Sequence, residues 1–116
     1  MQGNILKEKV KLFASRSLDL YKNLIMKKEY VLSKQFLRSS TSIGANVFVA
    51  NYSESKKDFT HKLHISLKEA VETGYWLELI ERYNPTIKDI KLLEKLNDEI
   101  IRPLISSIKI SKRTNK

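Results

Sequence analysis

The chain contains no cysteine, and its 116 residues include only three glycines and two prolines. Without cysteine there is no disulfide, no thiolate metal site and no thiol nucleophile, a composition that fits a reducing cytoplasm. A β-protein needs a turn signal about every ten residues, and so few glycines and prolines do not supply them. No apolar run approaches the ~18 residues of a membrane span. The opening stretch, MQGNILKEKVK, is charged every two or three positions, unlike a secretory h-region. A soluble, cytoplasmic, helical protein without membrane contact is expected. Acidic residues are scarce too: 13 Asp and Glu stand against 22 Lys and Arg, a formal charge of +9, with an isoelectric point near 9.8. Such an excess favours polyanionic partners, nucleic acid first, although lysines that only solvate a surface leave the same count.

What is present is helical periodicity in one domain, residues 1–116, long enough for a single core. Leu6, Val10, Phe13, Ser17, Leu20, Tyr21 and Leu24 recur at three-four spacing, which predicts a first helix capped by Asn4 and ending near Lys27 and Lys28. Ser33 is the expected cap of a second helix, with Phe36, Leu37, Ile43, Val47 and Ala50 on its inner face. Inside it lies RSSTSIGAN, residues 38–46, with four consecutive hydroxyl side chains and a glycine but no turn dipeptide. Glycine within a helix costs about 1 kcal/mol relative to alanine, so it asks for a packing reason. The stretch predicts a thin helix face that admits a neighbouring helix closely, within the chain or across a subunit boundary. Its hydroxyls can bond to carbonyls one turn back. Ser42, Gly44 and Asn46 are therefore candidates for tight packing or an oligomer contact.

Ser55 opens a third helix, with Asp58 at capping-box spacing and Phe59, Leu63, Leu67, Ala70, Val71, Gly74, Leu77 and Ile80 as its stripe. The NPT at 84–86 breaks the chain. Thr86 is the expected cap of a fourth helix carrying Ile90, Leu93, Leu96, Asn97, Ile100, Leu104 and Ile108. Pro103 is expected to kink that helix or loosen its last turns, leaving residues 110–116 as a basic, frayed tail. The fold predicted is all-α, an antiparallel up-down-up-down four-helix bundle.

No constellation points to a reaction. His61 and His64 lie three apart, with Asp58 before them, but no second helix offers matching ligands, so no metal is expected. There is no G-x-S-x-G and no glycine-rich phosphate loop. No enzyme activity and no cofactor are expected. The basic groups say more. Lys56 and Lys57 fall in the first turn of helix three, where the helix dipole disfavours cations, as if they served a contact. Lys34 and Arg38 lie one turn apart on helix two and Lys62 on helix three; those near the connection between the two helices could form one cationic rim. Tyr52, Tyr75, Trp76 and Tyr83 can stack on unpaired bases or fill a core or interface. Tyr75 and Trp76 are adjacent and so point in different directions; the one that leaves the core reads as an oligomer contact.

These residues carry a resemblance. Arg38, Ser42, Ile43 and Asn46, then Ser55, Lys56, Lys57, Asp58 and Phe59, then Leu67, Glu69, Glu72 and Leu77 fall in a joined pattern over nearly the whole chain. That pattern resembles the four-helix bundle family named for open reading frames in intervening sequences of bacterial 23S ribosomal RNA. The resemblance implies a ring-like homo-oligomer, a pentamer in known members, with no established enzymatic activity. Related proteins include accessory factors of diversity-generating retroelements, which bind nucleic acid and a reverse transcriptase through a basic surface. The chain departs from the pattern at Val49, where the family commonly has an acidic residue; if that acid makes a buried or inter-subunit contact in relatives, an apolar side chain must fill the space here. The function expected is a non-enzymatic homo-oligomer binding RNA or DNA, structured RNA foremost, through phosphate contacts of Lys34, Arg38, Lys56, Lys57 and Lys62. The competing expectation is an adaptor ring that docks a protein partner such as a reverse transcriptase-like enzyme.

Overall fold

Four apolar stripes at three-four spacing become four long helices in the computed structural model, which describes residues 2–114: α1 (Gln2–Met26), α2 (Tyr30–Ala50), α3 (Lys56–Tyr83) and α4 (Ile90–Thr114). Each helix packs against its neighbours in sequence and α4 closes back on α1, while among the described residues the backbones of diagonal helices do not approach one another closely. The result is an up-down-up-down bundle measuring 49 × 21 × 20 Å. Phe13, Leu24, Phe36, Ile43, Leu77, Ile80, Ile90, Leu93, Ile100 and Leu104 are fully buried along its axis.

Helix ends depart from expectation at three of the four expected caps. Gln2 already lies in α1, which places Asn4 within the helix. The far end of α1 is closed by Lys28, whose φ of 63° is left-handed, with the Glu29 N–H donating to the Leu24 carbonyl at 2.9 Å. Helix α2 begins at Tyr30, not after Ser33, and Ser33 is buried one turn in, its hydroxyl donating to the Tyr30 carbonyl at 3.0 Å. Thr86 lies in the turn before α4 and does not cap it; the Asp89 carbonyl takes the Leu93 N–H at 3.0 Å. Ser55 does cap α3, its Oγ accepting the Asp58 N–H at 3.1 Å.

The largest correction is at the C-terminus. Helix α4 runs through Pro103 to Thr114, so residues 110–114 are helix rather than a frayed tail; residues 115–116 lie outside the described residues. The reason is burial. Ile108 and Ser111 extend the inner seam of α4 against the start of α3, where the Ser111 and Thr60 hydroxyls are hydrogen-bonded.

The inner face of α3 also differs from its apolar stripe. Thr60, Ser66 and Thr73 are buried in line with Leu63, Ala70, Leu77 and Ile80, whereas Val71 faces outward. Small hydroxyl residues there meet the hydroxyl run of α2. Thr73 Oγ1 donates to Ser39 Oγ at 2.8 Å, and Ser66 Oγ donates to the Ile43 carbonyl at 2.8 Å. On α2, Ser39 and Ser40 are buried and return their own protons to Phe36 and Leu37 carbonyls at 3.2 Å. Ser39 and Ile43 of RSSTSIGAN thus lie on the thin face by which α2 approaches α3, and the buried hydroxyls of the stretch are hydrogen-bonded as burial requires. Asn97 pins α4 to α3 in the same way, donating to the Ala70 carbonyl at 2.9 Å.

Gly44 lies on the other flank of α2, against α1. A methyl group added there would meet the Val10 side chain at 3.5 Å and the Val10 carbonyl at 3.7 Å, ordinary contact distances. Gly44→Ala is therefore expected to raise stability by up to ~1 kcal/mol through helix propensity. Gly44→Leu crowds Val10 at the α1–α2 crossing and is expected to lower stability by about 1–3 kcal/mol. Urea unfolding of the pair measures both, and equal stability of the two variants would refute the close crossing.

Candidate nucleic-acid interface

Up-down topology brings the start of α1, the end of α2, the start of α3 and the end of α4 to one end of the bundle. Cutting every helix at its midpoint shows what this does to charge. The end formed by residues 2–13, 40–69 and 102–114 holds eleven Lys and Arg and four Asp and Glu; residues 14–39 and 70–101 hold ten and nine. Nearly all the net charge thus lies in one half of a rod. Lys56 and Lys57 stand in the first turn of α3, and Lys112 and Arg113 in the last turn of the adjoining α4, both pairs exposed. The Thr60–Ser111 hydrogen bond holds the two helix ends side by side. Lys109, Lys112 and Arg113 therefore join the cationic end although a frayed tail would have scattered them.

The five basic residues expected to bind do not gather there together. Lys56, Lys57 and, half-buried, Lys62 belong to this end. Lys34 is exposed near the opposite end, sixteen residues before Ala50 and so roughly 24 Å away along α2 at 1.5 Å per residue. Arg38 is held within the chain. Its guanidinium donates to Glu69 at 3.0 Å and to Glu72, whose carboxylate also takes the Trp76 Nε1–H at 3.1 Å. That network ties α2 to α3 and leaves Arg38 largely neutralised.

The residues read as packing or oligomer positions separate likewise. Ser42 donates to the Arg38 carbonyl and Asn46 Nδ2 to the Ser42 carbonyl, each at 2.8 Å, so both are engaged within α2. Trp76 packs on the core, while Tyr75 is 56% exposed and makes an edge contact with it at 5.2 Å between ring centroids. Tyr75 is the aromatic residue of that pair that leaves the core. Val49 is exposed as well, and fills no interior space of the chain. Phe48, which no functional reading of the sequence singled out, is 61% exposed beside Tyr52 at 76%. The signal available for it was its place outside the three-four stripe of α2.

Neither His61 nor His64 is buried, and among the described residues no group of three His, Asp or Glu is placed to hold a metal ion. No helix among them is long and apolar enough to cross a membrane.

Comparison with known proteins agrees with this architecture. The crystal structure of a protein of unknown function from the S23 ribosomal protein family of Bacteroides thetaiotaomicron superimposes with a TM-score of 0.89 at 47% identity, covering 94% of this chain and 99% of that one. Comparison with the curated proteins finds no match. The model of the 23S rRNA-intervening sequence protein family matches residues 3–106, which include the α2–α3 hydroxyl contacts and the Arg38 network. The chain belongs to the 23S rRNA-intervening sequence protein family.

Proposed function

We propose that the protein works without catalysis, as a homo-oligomeric helical bundle that binds nucleic acid, structured RNA foremost, through phosphate contacts at its cationic end. The observation that carries this reading is the segregation of charge: one end has eleven basic groups against four acidic, the other ten against nine. Lys56 and Lys57 add weight, because they sit where the dipole of α3 opposes a positive charge. Lys62, Lys109, Lys112 and Arg113 complete the surface; Lys34 lies too far away to share it and Arg38 is occupied by two carboxylates. In a symmetric assembly, as in a pentameric ring, the same end repeats around the axis and the local fields add. A cysteine-free chain of this charge suits the cytoplasm, where such partners are found.

Fluorescence anisotropy of a labelled RNA hairpin and a DNA duplex, titrated at several salt concentrations, tests the proposal. Tight binding that falls steeply with salt is expected, with the logarithmic slope set by the number of phosphates neutralised. No binding at low salt would overturn it.

One observation favours a second reading, an adaptor that docks another protein such as a reverse transcriptase-like enzyme. Val71 and Tyr75 lie one turn apart on the outer face of α3, apolar and exposed. Capture of such an enzyme by the unaltered protein, lost in Val71→Asp, is the outcome that reading requires.

A further inference from the structure

An apolar groove of about 390 Å³ runs between α1 and α2 at the cationic end. It exists because the residues beneath it are small: Ala14 from α1, and Thr41, Gly44 and Ala45 from α2. Phe48 and Tyr52 form its lip, with ring centroids 5.6 Å apart and planes tilted by 46°. Both rings are more exposed than covered. Lys7 and Lys11 line the groove from α1 and make no ion pair among the described residues, and no acidic residue lines it. Asn51 borders both this groove and the neighbouring hollow that contains Lys56, so the first turn of α3 lies beside the groove.

Exposed aromatic rings beside unpaired lysines are the two elements of a platform for single-stranded nucleic acid: the rings take the faces of bases, and the cations take the phosphates. A duplex buries its base faces in its own stack and can use only the lysines. We propose that the groove is a stacking site for unpaired bases, as in a hairpin loop or a single-stranded segment, held by Phe48 and Tyr52 with the backbone passing Lys7, Lys11 and Lys56. This rests on the reading of the cationic end as a nucleic-acid surface, and adds to it a choice of single strand over duplex. An acidic amphipathic helix or a second copy of the chain would use the same lysines and rings, and the test separates these from a base.

Binding of oligouridylate and of a blunt RNA duplex is compared for the unaltered protein, Phe48→Ala, Tyr52→Ala, Tyr52→Phe and K56E/K57E. Each alanine variant is expected to lose roughly tenfold in affinity for the single strand, with duplex binding unchanged and Tyr52→Phe retaining full affinity. Because both rings are exposed, folding is not at risk, and circular dichroism confirms it. If K56E/K57E weakens both ligands while the alanine variants lose nothing, the cationic end stands and the stacking site falls. If the unaltered protein binds neither ligand, both fall. A drop in assembly mass on Phe48→Ala or Tyr52→Ala, measured by sedimentation, assigns the lip to a protein contact and overturns the stacking site.

Discussion

Reversing Lys56 and Lys57 to glutamate is expected to weaken binding of an RNA hairpin on the order of 10²-fold at low salt. The same variant is expected to be no less stable than the unaltered protein. The two effects have one cause. Both lysines stand in the first turn of α3, beside the unpaired N–H groups of its N-terminus. A cation there opposes the helix dipole and an anion there is favoured by it, so reversal stabilises α3 by about 1 kcal/mol in total. For the bound polyanion the sign is opposite, since each reversal removes two units from a formal charge of +9. The salt slope is expected to flatten by about one unit for each lysine that touches a phosphate. The matching change K112E/R113E loses binding too, but places anions in the last turn of α4 and is expected to lower stability. Anisotropy titrations and thermal melts on the two variants measure both signs. Unaltered affinity in K56E/K57E would remove these lysines from the surface.

Phe36→Ala is expected to lower stability by about 3–5 kcal/mol, the usual cost of emptying a core aromatic site. Phe36 is 0% exposed on the inner face of α2, within the core between helices. A domain of this size has about 5–15 kcal/mol in total, so the variant is expected to unfold early in urea and to be partly unfolded when warm. Phe48, three turns further along the same helix, is the control. It points to solvent, and its replacement by alanine is expected to change stability by no more than about 0.5 kcal/mol. A loss below 1 kcal/mol for Phe36→Ala would mean that the bundle collapses into the vacated space.

The pattern of α1 shows why so much was readable beforehand. Leu6, Val10, Phe13, Ser17, Leu20, Tyr21 and Leu24 were expected on one face, and all are buried except Tyr21, which is half-buried at its edge. A three-four repeat has only one way to hide its apolar side. Helix α4 follows the same rule from Ile90 to Ile108. The rule fails where burial is carried by hydroxyl side chains. Thr60, Ser66 and Thr73 form the inner line of α3 because their small side chains and hydrogen bonds suit a close approach, Ser66 and Thr73 to α2 and Thr60 to α4, a property no hydropathy scale records. Val71 was then assigned inward by type and lies outward. Helix ends were misplaced for a related reason. Asn4, Ser33 and Thr86 have the chemistry of caps, but the helices begin where packing permits, and α1 closes on a left-handed Lys28 that carries no glycine signal.

The cationic site was half visible. Lys56 and Lys57 were marked by their unfavourable place in a helix, a local property that spacing alone reveals. Lys109, Lys112 and Arg113 were not, because their value depends on α4 continuing to Thr114 and docking beside α3. Arg38 was marked by its charge, yet Glu69 and Glu72, more than thirty residues away, neutralise it.

By itself the sequence determined the helices, their inner faces where these are apolar, the order of the bundle and the sign of its charge. All of these follow from local periodicity, composition and short connections. Only the tertiary structure decided which charges are free and which are paired, where the free ones collect, and that Phe48 and Tyr52 flank an open groove. Those facts depend on residues far apart in the chain meeting across helix pairs, where one helix turn more or less changes the partner and the pattern within any single helix does not change.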